Sequence, residues 1–281
     1  VKREGRLWIW SRGEELVTER FPELEVLVHG LPDGTVIDGE IVVWKSTYPS
    51  TEDAFDPQST APPAVHPFAL LQQRIGRKTL DKKILEEVPV VVLAYDLLEW
   101  QGEDIRNKPF EERRILLEKL YSEIKDATIP LQLSERVSFS TWEEVAEERI
   151  RSREMKSEGL MLKRKDSPYL VGRKKGDWWK WKIEPLTIDA VLTYAMRGHG
   201  RRSNLFTDYT FALWQDNENG ERELVTFAKA YSGLTDKEIK EVNAFVNKNA
   251  IEKFGPVRTV KPELVFEIAF EGIAESKRHK A

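Results

Sequence analysis

The chain has 281 residues, enough for two domains of ordinary size, each with its own core. With 40% hydrophobic and 33% charged residues and no cysteine, it reads as a soluble globular protein without disulfides, thiolate-bound metal or a cysteine nucleophile. No apolar run is long enough to cross a bilayer and no signal peptide is visible, so a monomeric, cytoplasmic protein with no membrane partner is the expectation.

The first strand is predicted over Arg6-Leu7-Trp8-Ile9-Trp10, running into a Ser11-Arg12-Gly13 turn. A second β-rich run covers Thr35 to Lys45 after the turn Leu31-Pro32-Asp33-Gly34. Ser46 to Pro67, rich in Pro, Ser and Thr, reads as a long exposed insertion. Val88 to Trp100 is a strand that is apolar on both faces over Val90 to Leu93, and therefore central. Phe110 to Ile124 forms an amphipathic helix, with Pro109 suited to its first turn. Thr141-x-x-Glu144 is read as a capping box opening a charged helix that ends before Gly159.

The texture changes after Lys182, and a boundary is placed near Glu184-Pro185, dividing the chain into 1–184 and 185–281. Thr187 to Met196 is a strand, followed by the loop Arg197-Gly-His-Gly-Arg-Arg-Ser203. Tyr209 to Gln215 and Leu224 to Tyr231 form a hairpin across Asn217-Glu-Asn-Gly220. Thr235-x-x-Glu238 caps a helix carrying Ile239, Val242, Phe245 and Val246 on one face and stopped by Gly255, and a last strand covers Glu263 to Phe270. That order is compatible with a small five-stranded barrel.

Charge is unevenly spread. The net −4 argues against a phosphate-rich partner, but Arg151 to Lys182 holds eleven Lys/Arg against four Asp/Glu, a net +7. A solvated basic face is the ordinary meaning of such a run. Here Tyr169, Trp178, Trp179 and Trp181 interleave with the cations, a combination suited to nucleic acid. A period of two sends Trp178, Lys180 and Lys182 to one face of a strand and Trp179, Trp181 and Ile183 to the other. Two lysines on one face can meet a phosphate and the charge that develops on it during transfer. A soluble edge strand would also carry lysines, but it has no use for three tryptophans.

Other positions are less decisive alone. Asp38 and Glu40 point to one side of a strand, where Glu40 is equally well an exposed hairpin charge or an acceptor for a sugar hydroxyl or metal. Glu158 opens an apolar strand as a potential hard-metal ligand, or simply ends a helix before Gly159. Tyr95 closes a central strand, where core packing is its usual fate. His199 reads as a loop residue rather than a catalyst.

Five stretches, in order, resemble the nucleotidyltransferase motifs of ATP-dependent DNA ligases of bacterial type: Ser11-Arg12-Gly13-Glu14, Asp38-Gly39-Glu40, Tyr95-Asp96-Leu97-Leu98, Glu158-Gly159-Leu160-Met161-Leu162-Lys163 and Trp178-Trp179-Lys180-Trp181-Lys182. The resemblance continues through Leu71-Gln-Gln-Arg-Ile-Gly-Arg-Lys78, Gly198-His-Gly-Arg-Arg-Ser203 and Phe266-Glu-Ile-Ala-Phe-Glu-Gly-Ile273, and so covers nearly the whole chain. It implies an α+β nucleotidyltransferase (adenylation) domain of antiparallel sheets with flanking helices, followed by an OB-fold β-barrel. ATP and Mg²⁺ are the implied cofactors, and nicked duplex DNA is the implied partner.

The family assigns Lys180 and Lys182 to the α-phosphate, Glu40 to ribose or metal, and Glu158 to metal. It further implies that Tyr95 stacks adenine, Arg12 contacts nucleotide and DNA phosphate, and Lys163, Arg201 and Arg202 contact nucleic acid. Its nucleophile is the lysine of Lys-x-Asp-Gly-x-Arg. Lys2-Arg-Glu-Gly-Arg6 echoes that pattern but has Glu for Asp and lacks the spacer, so the true motif is expected upstream of Val1. The family's N-terminal DNA-encircling domain and Arg-rich closing motif are likewise expected to lie outside this chain. RNA ligases and capping-type guanylyltransferases share several of these motifs and would be told apart by nucleotide choice. A non-catalytic nucleic-acid-binding module is the reading from another class.

Overall fold

Alternating apolar side chains and well-placed turn residues produce a mostly antiparallel architecture, seen here in a computed structural model that describes residues 1–45, 64–77, 79–124, 129–155, 157–172 and 174–273. The insertion expected at Ser46 to Pro67 lies, as far as residue 63, outside the described residues, as do Lys78 and residues 274–281. The chain divides into two units, Val1–Ile183 and Glu184–Ala281. No helix among the described residues is long and apolar enough to cross a membrane.

The first unit opens with a hairpin of β1 (Lys2–Arg3) and β2 (Arg6–Leu7), turned through Glu4 and Gly5 in left-handed backbone. The strand expected to reach Trp10 pairs only over Arg6–Leu7. Beyond it Trp8 exchanges backbone bonds with Val1, and Trp10 bridges to Leu16 across the Ser11 turn. After α1 (Leu27–Gly30), β3 (Val36–Lys45) pairs with β4 (Ala64–Val65) and with β5 (Val90–Trp100). Between them come α2 (Phe68–Ile75) and α3 (Lys82–Glu87), the latter capped by the Asp81 carboxylate accepting from the Ile84 amide at 2.8 Å.

Strand β6 (Glu103–Asp104), helix α4 (Phe110–Ile124) and β7 (Leu131–Leu133) follow, giving the order β4-β3-β5-β6 with β7 parallel to β5. As its pattern predicts, β5 is central and buries Val90, Val91, Ala94 and Leu97. Helix α4 seats Leu117 and Leu120 in the same core. Helix α5 (Trp142–Arg151) is capped by Thr141, but the Glu144 carboxylate reaches back to the Ser140 amide at 2.7 Å, so the expected reciprocal box is displaced by one residue. A separate two-stranded ladder, β8 (Gly159–Lys163) and β9 (Trp178–Lys182), completes the unit.

In the second unit β10 (Leu186–Arg197) is long and bulged, and pairs with three strands. These are β11 (Phe206–Asp216), which forms the expected hairpin with β12 (Arg222–Ala230), and two later strands, β14 (Val257–Val260) and β15 (Val265–Phe270). One first strand shared among the others is the connectivity of an OB fold. Helix α6 (Asp236–Asn249) has the complete Thr235/Glu238 capping box, buries Ile239, and packs Val242 and Val246 into a core with Leu192, Phe206 and Phe211.

Two expectations change. The helix stops at Asn249 rather than Gly255, and Gly255 (φ 55°) instead turns a hairpin of β13 (Ala250–Phe254) and β14. The sheet therefore has six strands, not five. The Gly-Pro pair that signals the end of a helix serves equally as a hairpin turn, and only the tertiary pairing to β10 decides between them.

Candidate nucleotide and phosphate site

The β8–β9 ladder sets the first half of the site. Its register pairs Gly159 with Lys182, Met161 with Lys180 and Lys163 with Trp178, so these side chains share one face. Glu158 would fall on the opposite face by alternation, yet its carboxylate receives the Lys180 ammonium at 2.6 Å and the Lys182 ammonium at 2.9 Å. Gly159, at φ 137°, breaks the alternation. A Cβ there would stand 2.2 Å from the Trp181 carbonyl oxygen, so only glycine fits. The two lysines hold the Glu158 carboxyl down at about pKa 2. All three side chains are roughly half exposed, so phosphate can reach them. On the other face Trp181 packs edge-on to Trp142, with the Arg149 guanidinium 4.9 Å from its ring centroid. Trp179 stays half exposed.

Strands β3 and β5 supply the second half. Asp38 pairs with Asp96 and Gly39 with Ala94, leaving Tyr95 as the extra residue of a β-bulge. Bulges of this kind re-aim a side chain beside a site. A Cβ on Gly39 would be 2.8 Å from the Leu93 carbonyl oxygen, so the bulge needs glycine opposite it. Asp38 accepts the Tyr95 hydroxyl at 3.1 Å and the Tyr169 hydroxyl at 2.7 Å. Burial, and then the Asp38 charge, push the Tyr95 hydroxyl pKa up, and Glu40 adds to the same field. The Glu40 carboxylate is exposed and makes no hydrogen bond or ion pair with a described residue.

Lys163 joins the halves. Its ammonium lies 4.6 Å from the Tyr95 ring centroid, 4.6 Å from that of Phe110 and 4.1 Å from that of Trp178. It is shielded from solvent and has no hydrogen-bond partner. Burial brings its pKa down to about 8, against the opposing pull of Asp96 and Asp38. The amine of Lys163, expected to contact nucleic acid, is enclosed here by the three rings. Behind the cage, Asp96 and Arg113 form a fully buried bidentate pair at 2.9 Å, and Arg113 also donates to the carbonyls of Lys108 and Ser167.

The structure thus gathers Lys180, Lys182 and Glu158, and links them through Trp178 and Lys163 to Tyr95, with Glu40 in the field of Tyr95. Arg12 does not join this network by any hydrogen bond, ion pair or ring contact, and is exposed in a turn whose Ser11 hydroxyl accepts from the Gly13 and Glu15 amides. Arg201 and Arg202 are exposed in the second unit, where a short 3-10 turn holds them and Arg202 reaches Asp236 at 3.4 Å. An open cleft of about 550 Å³ in the first unit is lined by Arg6, Trp8, Glu25 and His29, and none of the lysine cluster borders it.

Among the described residues no group of three His, Asp or Glu side chains is placed to hold a metal. Glu158 is already shared by two ammonium groups. The donors therefore fit an ion that arrives with phosphate oxygens, as Mg²⁺ commonly does, rather than one caged by protein alone.

Sequence reasoning missed the cage and the buried pair. Arg113 did leave a signal. It lies four and seven positions before Leu117 and Leu120 on the inward face of α4, where a charge requires a buried counter-charge.

The family model for the ATP dependent DNA ligase domain matches residues 1–182. A probable DNA ligase of Koribacter versatilis is 32% identical over 290 residues, covering 96% of this chain and 47% of the relative. One of Opitutus terrae is 34% identical over 305 residues, covering all of this chain and 28% of the relative. The chain thus spans about half or less of the length of these curated relatives. The solved structure of Pmar-Lig_Pre superposes with a TM-score of 0.61 at 16% identity, over 98% of this chain and 56% of that one, which supports the fold. This chain belongs to the ATP-dependent DNA ligase domain family.

Proposed function

We propose that this chain carries the nucleotide- and phosphate-handling surface of an ATP-dependent ligase that seals nicks in duplex DNA. The observation that carries the reading is the single Glu158 carboxylate shared by Lys180 and Lys182 on the β8–β9 ladder, whose Lys163 lies over the Tyr95 ring. A phosphate arriving there replaces that carboxylate as partner of both lysines, which then meet the charge developing on the transferred group. Tyr95, with Lys163 against one face of its ring, offers adenine the other face, and Glu40 offers an unpaired acceptor to the ribose or to a metal. Bound Mg²⁺ would supply Lewis-acid charge neutralisation at the phosphate oxygens, with Glu40 and Glu158 as its protein donors. Arg12, Arg201 and Arg202, exposed and cationic, are assigned to DNA phosphates.

In this family a lysine takes AMP from ATP, AMP passes to the 5′-phosphate of a nick, and the 3′-hydroxyl displaces it. The pattern Lys-x-Asp-Gly-x-Arg does not occur in these 281 residues, so the informative step is the last, which needs no lysine nucleophile. The test offers the chain, with Mg²⁺, a nicked duplex whose 5′-phosphate already bears AMP. Sealing with release of AMP is expected, and Lys182→Ala should slow it about 10²- to 10³-fold, as for loss of one transition-state donor. Equal sealing by that variant would remove the lysine pair from the mechanism. Tight binding of the duplex without any sealing would leave a nucleic-acid-binding module in its place.

A further inference from the structure

We propose that Lys163 is a positioning residue for the nucleotide site, its ammonium occupying the face of Tyr95 and holding it in one aromatic box with Phe110 and Trp178. This rests on the reading above, in which Tyr95 offers its ring to the base.

The three rings come from three separate segments of the fold. Tyr95 is the bulged residue of β5, Phe110 is the first residue of α4, and Trp178 is the first residue of β9. Phe110 and Tyr169 both meet Trp178 edge-on, at 6.3 and 5.4 Å between centroids, and the Trp178 indole N–H donates to the Ser167 hydroxyl at 3.0 Å. An ammonium 4.1 to 4.6 Å from three ring centroids is attracted to each face, and desolvation strengthens that attraction. Register then carries the effect outward. Lys163 pairs with Trp178, two residues along β9 from Lys180 and four from Lys182, so fixing Trp178 against Tyr95 fixes the phosphate lysines relative to the ring.

Packing alone does not explain a lysine here. A methionine would fill the same box without burying an amine that has no hydrogen-bond partner. The charges facing the amine are Asp96 and Asp38, which favour its protonated form, and Arg113 and Arg114, which oppose it; the Tyr95 and Tyr169 hydroxyls are both engaged by Asp38. Its titration near pH 8 falls where affinity can be measured. The cation that organises the box also adds positive charge near an anionic nucleotide, so affinity should decline as pH rises through this range.

The experiment measures ATP affinity of the chain by calorimetry from pH 7 to 9.5, alongside melting temperature, for the wild type, Lys163→Met and Lys163→Arg. The wild type is expected to bind more weakly as pH rises through about 8. Lys163→Met should bind roughly tenfold more weakly at pH 7, lose the inflection, and melt no lower than the wild type. Lys163→Arg, charged throughout, should restore much of the affinity without the inflection. Full affinity and an unchanged pH profile in Lys163→Met would overturn the proposal, as would a loss of affinity matched by a loss of melting temperature, which marks mere packing. A wild type that binds no ATP at any pH would instead sink the nucleotide reading on which it rests.

Discussion

Two charge clusters in the first unit are built from similar side chains and put to opposite uses. Asp96 and Arg113 are both fully buried, bidentate, and surrounded by further acceptors at Lys108 and Ser167. Glu158, Lys180 and Lys182 are about half exposed and rest on one shared carboxylate. The first pair cannot change partners, because removing either charge strands the other in a low dielectric. The second can, because water and an incoming phosphate compete on nearly equal terms for exposed ammonium groups. Burial, more than charge, separates the cluster that holds β5 to α4 from the cluster that can act on a ligand.

The strongest way to break this contrast is to exchange the effects. Arg113→Met leaves Asp96 buried and unpaired, and urea denaturation of the chain should show a loss of about 3–5 kcal/mol. A loss below ~1 kcal/mol would mean the pair is no more structural than the exposed cluster. Lys182→Ala should do the reverse. Its effect on sealing of an adenylated nick, 10²- to 10³-fold or about 2.7–4 kcal/mol, should come with a stability change within ~1 kcal/mol. Gly159→Ala falls between them. The backbone at φ 137° and the Trp181 carbonyl oxygen both resist a Cβ, and such strain costs about 1–3 kcal/mol. That cost should appear in urea denaturation as a loss of unfolding free energy.

The two clusters were not equally legible. Strand alternation is a local rule, so Trp178-Trp179-Lys180-Trp181-Lys182 alone placed both lysines on one face, and β9 spans those five residues. The bounds of α4, the hairpin across Asn217 to Gly220 and the cap at Thr235 were readable for the same reason. What failed depended on distant pairing. The hairpin at Gly255 needed β10 as a partner, and the first strand was cut to Arg6–Leu7 by the chain crossing at Trp10. The aromatic box required Tyr95, Phe110, Lys163 and Trp178 to converge from four elements. No single window announces that a lysine written at the end of an apolar strand will have its amine turned inward.

The smallest expected effect tests whether the exposed cluster really exchanges partners. Glu158 has its carboxyl pKa depressed to about 2 by the two lysines, so whatever stability the contact provides is complete above pH ~4.5 and lost as pH falls through 2. Half-exposed ion pairs contribute little, so Glu158→Gln should change unfolding free energy at pH 7 by no more than ~1 kcal/mol. Its informative readout is anion affinity. In the wild type a phosphate must displace a carboxylate already bound to both ammonium groups, whereas the neutral amide is a weaker competitor. Metal-free titration with inorganic phosphate at pH 7 should therefore show tighter binding in Glu158→Gln by a few-fold, the equivalent of roughly 0.5–1 kcal/mol. A variant that binds phosphate no better would show that Lys180 and Lys182 do not trade Glu158 for a ligand. The exposed cluster would then be, like the buried one, a fixture of the fold.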